Sequence, residues 1–494
     1  MKKEVSQKIK KWTGKDVALN ILVYALNVIV LYGILTLCVY INNFDTSGDT
    51  FLEFFTGVGN IVRYLVLIGI TSAVMWLFFF FEDRDFLKDA VNSEMLFLVL
   101  EFSLVISFFI GKYVNIYLRP LTVTALLTLF LKNRRSAVFE GVIYSILMLV
   151  MDTLPYSNLP VNPIWIFMIS ISSCVLSLYI MVKLYSRLKM LLAGFLISIP
   201  AILFVLLGFL DADFSDIIVN IVCSVCSGPA SVAIFFILLP LFESLFKKIT
   251  MFKLAELTDH KARLIKKMIR EAPGTFNHAI IVSNIAEACA TAIDEDALLA
   301  RTCAYYHDIG KLRRPEFFGE NQPDDFNPHD DLTPELSTNI IKSHAVDGYQ
   351  LLLKHGLPLE IADVCLQHHG TMPILYFYDK AKKFTDGEVD IKPYCYQGPK
   401  PQTKIAAIIM IADGCEAATR TLKDRSRENV KKLVRGIVNE RMELGQFDEC
   451  EITIKELNVI INTVVNNMTG IYHNRAEYPK VSLDGLRDKK EDEN

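Results

Sequence analysis

Histidine is absent from the first 259 residues of this 494-residue chain; all nine lie between His260 and His473. The N-terminal half therefore lacks the commonest transition-metal ligand and the usual physiological acid–base group. A basic excess is also missing. The formal net charge is -4, which argues against a nucleic-acid polymer as partner. The ten cysteines form no metal-ribbon spacing. One C-x-x-C, Cys223 and Cys226, lies inside an apolar run and reads as two small residues of a membrane helix rather than a redox pair. The soluble half scatters six cysteines, which suits a reducing cytoplasm. No cleavable signal peptide is expected, because the first apolar run is too long and lacks a small-residue cleavage site.

What is present divides unevenly. Hydrophobic residues make up 52% of the chain, yet 21% are charged. The apolar runs end near Phe246, and an ordinary globular sequence follows. Runs near 17–41, 61–81, 95–115, 164–184, 189–210 and 217–243 are long enough to span a bilayer. Shorter ones near 119–132 and 137–153 read as two short spans or a re-entrant pair, giving about eight helices. Eight crossings agree with the bias of lysine and arginine toward the inside. The N-terminal tail carries Lys2, Lys3, Lys8, Lys10, Lys11 and Lys15, whereas the loop 42–60 has acids and no Lys or Arg. Both termini then lie in the cytoplasm. Arg63, Glu101 and Lys112 are the main charges within the spans, with Glu101 the candidate for a buried contact.

The histidines sit in short motifs beside acids: His278 in PGTFNH, His307-Asp308 in YYHDIGK, His344 in KSH, His368-His369 in QHHG, and Asp413 in IIMIADG. Apolar residues at helical spacing, such as Ile281, Ile285, Ala288 and Ala292, make the flanking segments helices. Glycines and prolines punctuate them. The soluble half is therefore all-α, with ligands projecting from several helices into one pocket. Neighbours His307 and Asp308 diverge by about 100° on a helix, so an aspartate could bridge two ions while the histidine binds one. Five imidazoles and two carboxylates exceed one tetrahedral zinc. They suit two divalent transition-metal ions of the Mn or Fe kind, which can clamp a phosphoryl group and supply a nucleophile at neutral pH.

With these motifs the chain resembles the HD superfamily, in its HDIG branch (His307-Asp308-Ile309-Gly310). It is most similar to the seven-transmembrane HD proteins, the PgpH-type cyclic-di-AMP phosphodiesterases of bacteria. EAPGT (271–275), AYYHDIGK (304–311), ENQ (320–322), NPHDDL (327–332), QHHGT (367–371), GPKPQTK (398–404) and TGIYH (469–473) carry the resemblance. It implies one metal held by His278, His307, Asp308 and Asp413, and a second held by Asp308, His344, His368 and His369. It also implies a bacterial cell-membrane protein with a cytoplasmic HD domain, hydrolysing cyclic di-AMP to pApA. Two departures stand out. Relatives usually carry a large domain after the first helix, where this chain has only the loop 42–60. They also often have histidine where Asn277 stands.

The expected organisation is a basic tail (1–16), a membrane domain (17–245), a juxtamembrane linker helix (246–270), an HD domain (271–480) and a charged tail (481–494). Asp308 and Lys311 are the catalytic candidates. Lys311 could contact phosphate or be a solvated helix-end lysine, and Arg314 is a weaker candidate. The loop 319–331 could form a lid, with His329 a substrate contact or a loop cap. Tyr305 and Tyr306 read as core, His260 and His355 as surface residues, and His473 has no assigned role. The linker could relay membrane events or mediate homodimerisation, or simply rest near anionic headgroups. Two other readings stay open: hydrolysis of another cyclic dinucleotide or an alarmone, and a nucleotide-binding membrane receptor without turnover.

Overall fold

The structure, a computed structural model, describes residues 14–43, 58–153, 161–208 apart from 183 and 185, 214–322, 327–384 and 387–471. The tail 481–494, His473 and most of the segments 1–16 and 42–60 lie outside them. Two compact units divide the chain, Met1–Lys253 and Leu254–Asn494. Among the described residues both are helical, with one isolated bridge between Pro373 and Cys395.

The first unit contains α1 (Gly14–Asn43), α2 (Val58–Glu82), α3 (Ala90–Tyr113), α4 (Val123–Leu131), α5 (Arg134–Thr153), α6 (Pro163–Met181), α7 (Arg187–Ile197), α8 (Ile199–Gly208) and α9 (Phe214–Phe246). Seven helical stretches among the described residues have the length and apolarity of a membrane span, with Arg187–Leu207 counted as one. Their outward faces carry exposed Ile21, Leu22, Ile70, Phe81, Leu207 and Ile237. That is the pattern of helices solvated by lipid, and the chain is a multi-pass membrane protein. Glycine lets two of them approach closely: a Cβ on Gly228 of α9 would collide with the Gly194 carbonyl of α7.

The stretch expected at 119–132 differs from its partner. Pro120 has no N–H to donate and pushes Arg119 to extended backbone, with ψ at 132°. A 3-10 turn (Ile116–Leu118) and the nine-residue α4 result, whereas α5 runs for 20 residues. Val123, Ala125, Leu126 and Leu127 of α4 are all fully buried, so protein surrounds this short helix. Among the span charges, Arg63 is exposed and Glu101 is buried, as expected. Three further ionisable residues are buried: Glu140, and Arg119 paired with Asp152 at 2.6 Å. Their single charges are diluted by apolar neighbours in the sequence, and only packing brings Arg119 and Asp152 together.

The second unit begins within the short α10 (Met251–Leu257). It contains α11 (Arg263–Glu271), α12 (Pro273–Ala292), α13 (Ala297–Tyr306), α14 (Pro334–Lys354), α15 (Leu359–Gln367), α16 (Leu375–Phe384), α17 (Lys404–Thr421), α18 (Arg427–Glu443) and α19 (Ile454–Ile471). Side chains start three of these helices. Asp296 accepts from the Leu299 amide, Thr333 from Leu336 and Thr403 from Ala406. Within the stretch read as a linker, α11 buries Leu264, Ile265 and Met268 and leaves Lys266, Lys267 and Arg270 exposed. α12 is the central helix and packs on α13, α17 and α19. Ile285, Ile408, Ile411, Ile460 and Val464 meet in this core fully buried, each contributing about 1.5–3 kcal/mol.

Candidate metal centre

Five helices deliver the ligand-type residues. His278 comes from the first turns of α12, and His307-Asp308 from the end of α13. His344 lies in the middle of α14, His368-His369 follow α15, and Asp413 stands in α17. A 3-10 turn, Ile309–Arg313, carries the chain away from Asp308. Gly310 within it packs so closely on α14 that a Cβ would collide with the His344 carbonyl. That close approach brings the loop ligand to the helical one.

Asp308 is the hub. Its Oδ1 lies 3.3 Å from His344 Nε2 and 3.6 Å from His368 Nε2. Its Oδ2 lies 3.2 Å from His307 Nε2 and 3.6 Å from His278 Nε2. Asp413 Oδ1 sits 3.0 Å from His278 Nε2, and its Oδ2 is 3.8 Å from His369 Nδ1. Two groups could hold a metal ion: Asp308, His344, His368 and His369, and His278, His307, Asp308 and Asp413, with ligand atoms in each within 4.8 Å of one another. All seven residues singled out in the sequence thus come together, and each Asp308 oxygen faces one group.

The imidazoles are aimed by their other nitrogens. His307 Nδ1 donates to the Ala304 carbonyl at 2.7 Å, His344 Nδ1 to Ile341 at 2.6 Å, and His368 Nδ1 to Val364 at 3.1 Å. His278 Nδ1 instead meets the buried Glu416 carboxylate at 2.6 Å, and Glu416 also accepts from Arg420 Nε at 2.6 Å. In all four rings Nε2 is turned to the centre.

Electrostatics favour a cation here. Burial alone would push the Asp308 carboxyl up, but Lys311 and His307 hold it well below the usual carboxylate range. Burial likewise opposes charge on His307, yet the adjoining Asp308 outweighs it and pushes the imidazole up to about 10. His344 is pulled down to about 4 by burial, and burial with the neighbouring His368 lowers His369 further below its ordinary value. His307 Nε2 and Asp308 Oδ1 are buried without a hydrogen-bond partner. A buried imidazole nitrogen and carboxylate oxygen without hydrogen-bond partners fit a divalent metal ion, which would take the place of the proton on His307.

Residues around the centre have clear places. Lys311 is neither solvated nor free: its Nζ lies 2.8 Å from both Asp308 Oδ2 and Glu320 Oε1. Glu320 and Asn321 also bond Thr275 at the start of α12, so the beginning of the 319–331 loop is tied down. Residues 323–326 of that loop lie outside the described ones. His329 is buried and bonds the Phe317 carbonyl at 2.9 Å, as a loop anchor does. Tyr305 and Tyr306 are buried in the core, while Arg314, Asn277 and His260 are exposed. Sequence reasoning missed Glu416, the carboxylate role of Glu320, and Tyr396, whose ring stacks on His369 at 4.3 Å. Glu416 left a signal, since it follows Asp413 by three positions and so shares its helical face, and Glu320 stood within the ENQ motif.

Comparison with known proteins finds related sequences over both units. Residues 275–418 match the HD domain model, and residues 58–250 match the model described as 7TM receptor with intracellular HD hydrolase. The cyclic-di-AMP phosphodiesterase PgpH of Bacillus subtilis is 37% identical over 85% of this chain, and PgpH of Listeria monocytogenes is 42% identical over 61%. The chain spans 60% and 42% of the lengths of these relatives. The crystal structure of the L. monocytogenes PgpH HD domain in complex with cyclic-di-AMP is 47% identical, with a TM-score of 0.42, covering 44% of this chain and 99% of that one. A region matching the model described as 7TM receptor with intracellular HD hydrolase thus precedes an HD domain, in a multi-pass membrane protein whose two histidine–aspartate groups could hold divalent metal.

Proposed function

We propose that the chain is a membrane-anchored phosphodiesterase that opens cyclic di-AMP to linear pApA. The observation that carries this reading is Asp308, which offers one oxygen to each of two four-residue ligand groups. In this reading His278, His307, Asp308 and Asp413 hold one ion, and Asp308, His344, His368 and His369 hold the other. Manganese or iron suits so mixed a set of imidazoles and carboxylates. When bound, two such ions neutralise charge on the phosphate and make water nucleophilic near neutral pH. The substrate assignment draws on the relatives named cyclic-di-AMP phosphodiesterase PgpH.

The reaction adds water across one phosphodiester: a new P–O bond forms, the bond to the 3′-oxygen breaks, and that oxygen gains a proton. The chain's own residues prepare the place where this happens. Carbonyl-anchored Nδ1 atoms hold His307, His344 and His368 with Nε2 inward. Lys311, itself held by Glu320, braces Asp308 and so serves as a positioning residue rather than a free phosphate ligand. Tyr396 limits the rotation of His369 by stacking on it.

The HD domain is assigned to the cytoplasm. The assignment rests on loop charges, since Lys247 and Lys248 follow the last span and the N-terminal tail is also basic. Seven span-length stretches alone would put the two termini on opposite sides, so the reading requires the short α4 region to return the chain across the bilayer.

The test uses the full chain, purified in detergent and loaded with Mn²⁺. It is offered cyclic di-AMP and cyclic di-GMP in parallel, and the products are separated by chromatography. Selective formation of pApA, abolished by a chelator, is expected. Turnover of neither compound with metal demonstrably bound would refute the substrate assignment and favour another nucleotide or a receptor without turnover.

A further inference from the structure

The second unit holds a cavity of about 480 Å³ away from the metal ligands. Leu257, Leu264 and Leu357 give it an apolar floor, and Arg263, Lys354 and His355 a basic rim. No carboxylate lines it. Arg263 and Lys354 have no ion-pair partner among the described residues. His355 spends Nδ1 on the Leu351 carbonyl at 2.9 Å, which leaves Nε2 for a ligand.

Unpaired cations are common on open surfaces, where water solvates them. Here they border a concave apolar floor, and that combination suits an amphipathic anion. The floor is also tied to the ligand-bearing end of α13. Tyr306, which lines the cavity and precedes His307, donates its hydroxyl to the Leu257 carbonyl at 2.7 Å.

We infer that this cavity binds a phosphate-bearing anion, with the phosphate on Arg263 and Lys354 and its apolar body on the leucines. Two sources share that chemistry: the headgroup of an anionic phospholipid and a soluble phosphate ester. α10, which ends at Leu257, is the first helix after the last span-length helix in the chain, so a lipid headgroup is the favoured source.

The experiment is hydrogen–deuterium exchange on the full chain in nanodiscs. It needs neither metal nor cyclic dinucleotide, so its outcome is independent of the assigned reaction. Discs of phosphatidylglycerol with phosphatidylcholine are compared with pure phosphatidylcholine discs, the latter with and without inorganic phosphate. About thirtyfold slower exchange in 257–264 and 351–357 is expected with phosphatidylglycerol, the factor equivalent to about 1 kcal/mol for each of the two cations at an anionic surface. R263Q/K354Q should lose this protection, whereas K266Q/K267Q, which removes the same charge outside the cavity, should keep it. Unchanged exchange in α12 and α17 would show that the variants fold. Protection by inorganic phosphate in phosphatidylcholine discs would support the site and assign it to soluble esters. Protection in neither case, or equal loss in both double variants, would overturn the inference.

Discussion

Individual side chains set the geometry of the candidate metal centre, and the clustering of its seven histidine and aspartate residues was readable because these residue types advertise their chemistry. Glu416 does not. A carboxylate on a helix is ordinary, and its value here comes from meeting His278 Nδ1 at 2.6 Å across two helices. Without it that ring could rotate or adopt the other tautomer, turning Nε2 away from Asp413. Glu416→Gln keeps the shape, and its amide nitrogen and oxygen can still meet the ring, but it weakens the contact. Glu416→Ala removes the partner altogether. Metal affinity is expected to fall about 10–100-fold in the alanine variant and less in the glutamine variant. Metal titration followed by calorimetry checks this, and equal affinity in alanine variant and parent would refute the positioning role.

At the scale of helices, hydrophobic periodicity and the Gly and Pro breaks revealed most of the soluble elements. Periodicity could not reveal that α4 and α5 would differ so much in length. Apolar runs look alike whether lipid or protein surrounds them, and the deciding feature was the backbone at Arg119-Pro120. The Arg119–Asp152 pair lies at this junction, both side chains 3% exposed. Removing one member strands the other charge. Asp152→Ala is expected to cost about 3–5 kcal/mol, read as a lower midpoint of thermal unfolding in detergent, whereas Arg119→Met/Asp152→Leu should recover much of the loss. Additive losses in the double variant would show that the pair is not coupled.

Across the whole molecule, the uneven distribution of histidine and of loop charges separated a membrane half from a histidine-bearing half before any coordinates. The electrostatic difference between the two ligand groups was hidden, because it arises from burial and neighbours. His278 and His307 are raised, and His344 and His369 are lowered. In the metal-free protein the His307 contribution to stability is fully present below its ordinary 6.5 and is lost as pH rises through about 10. Between those values a metal ion must displace a proton from that group, while the lowered histidines are already neutral. Loading at pH 7.5 is therefore expected to release a proton from His307, and to tighten as pH rises. Calorimetry in two buffers of different ionisation enthalpy measures that release, and heats independent of the buffer would contradict it.

His307, His344 and His368 each bond a carbonyl three or four residues earlier in the chain, mostly within their own helix. Their orientation is prefabricated, helix by helix, and owes nothing to the neighbouring arms. Only His278 is latched from another helix, through Glu416. The centre is thus a set of preset arms closed by one clasp, so losing metal should loosen the spacing between helices while leaving each arm ready to recapture it.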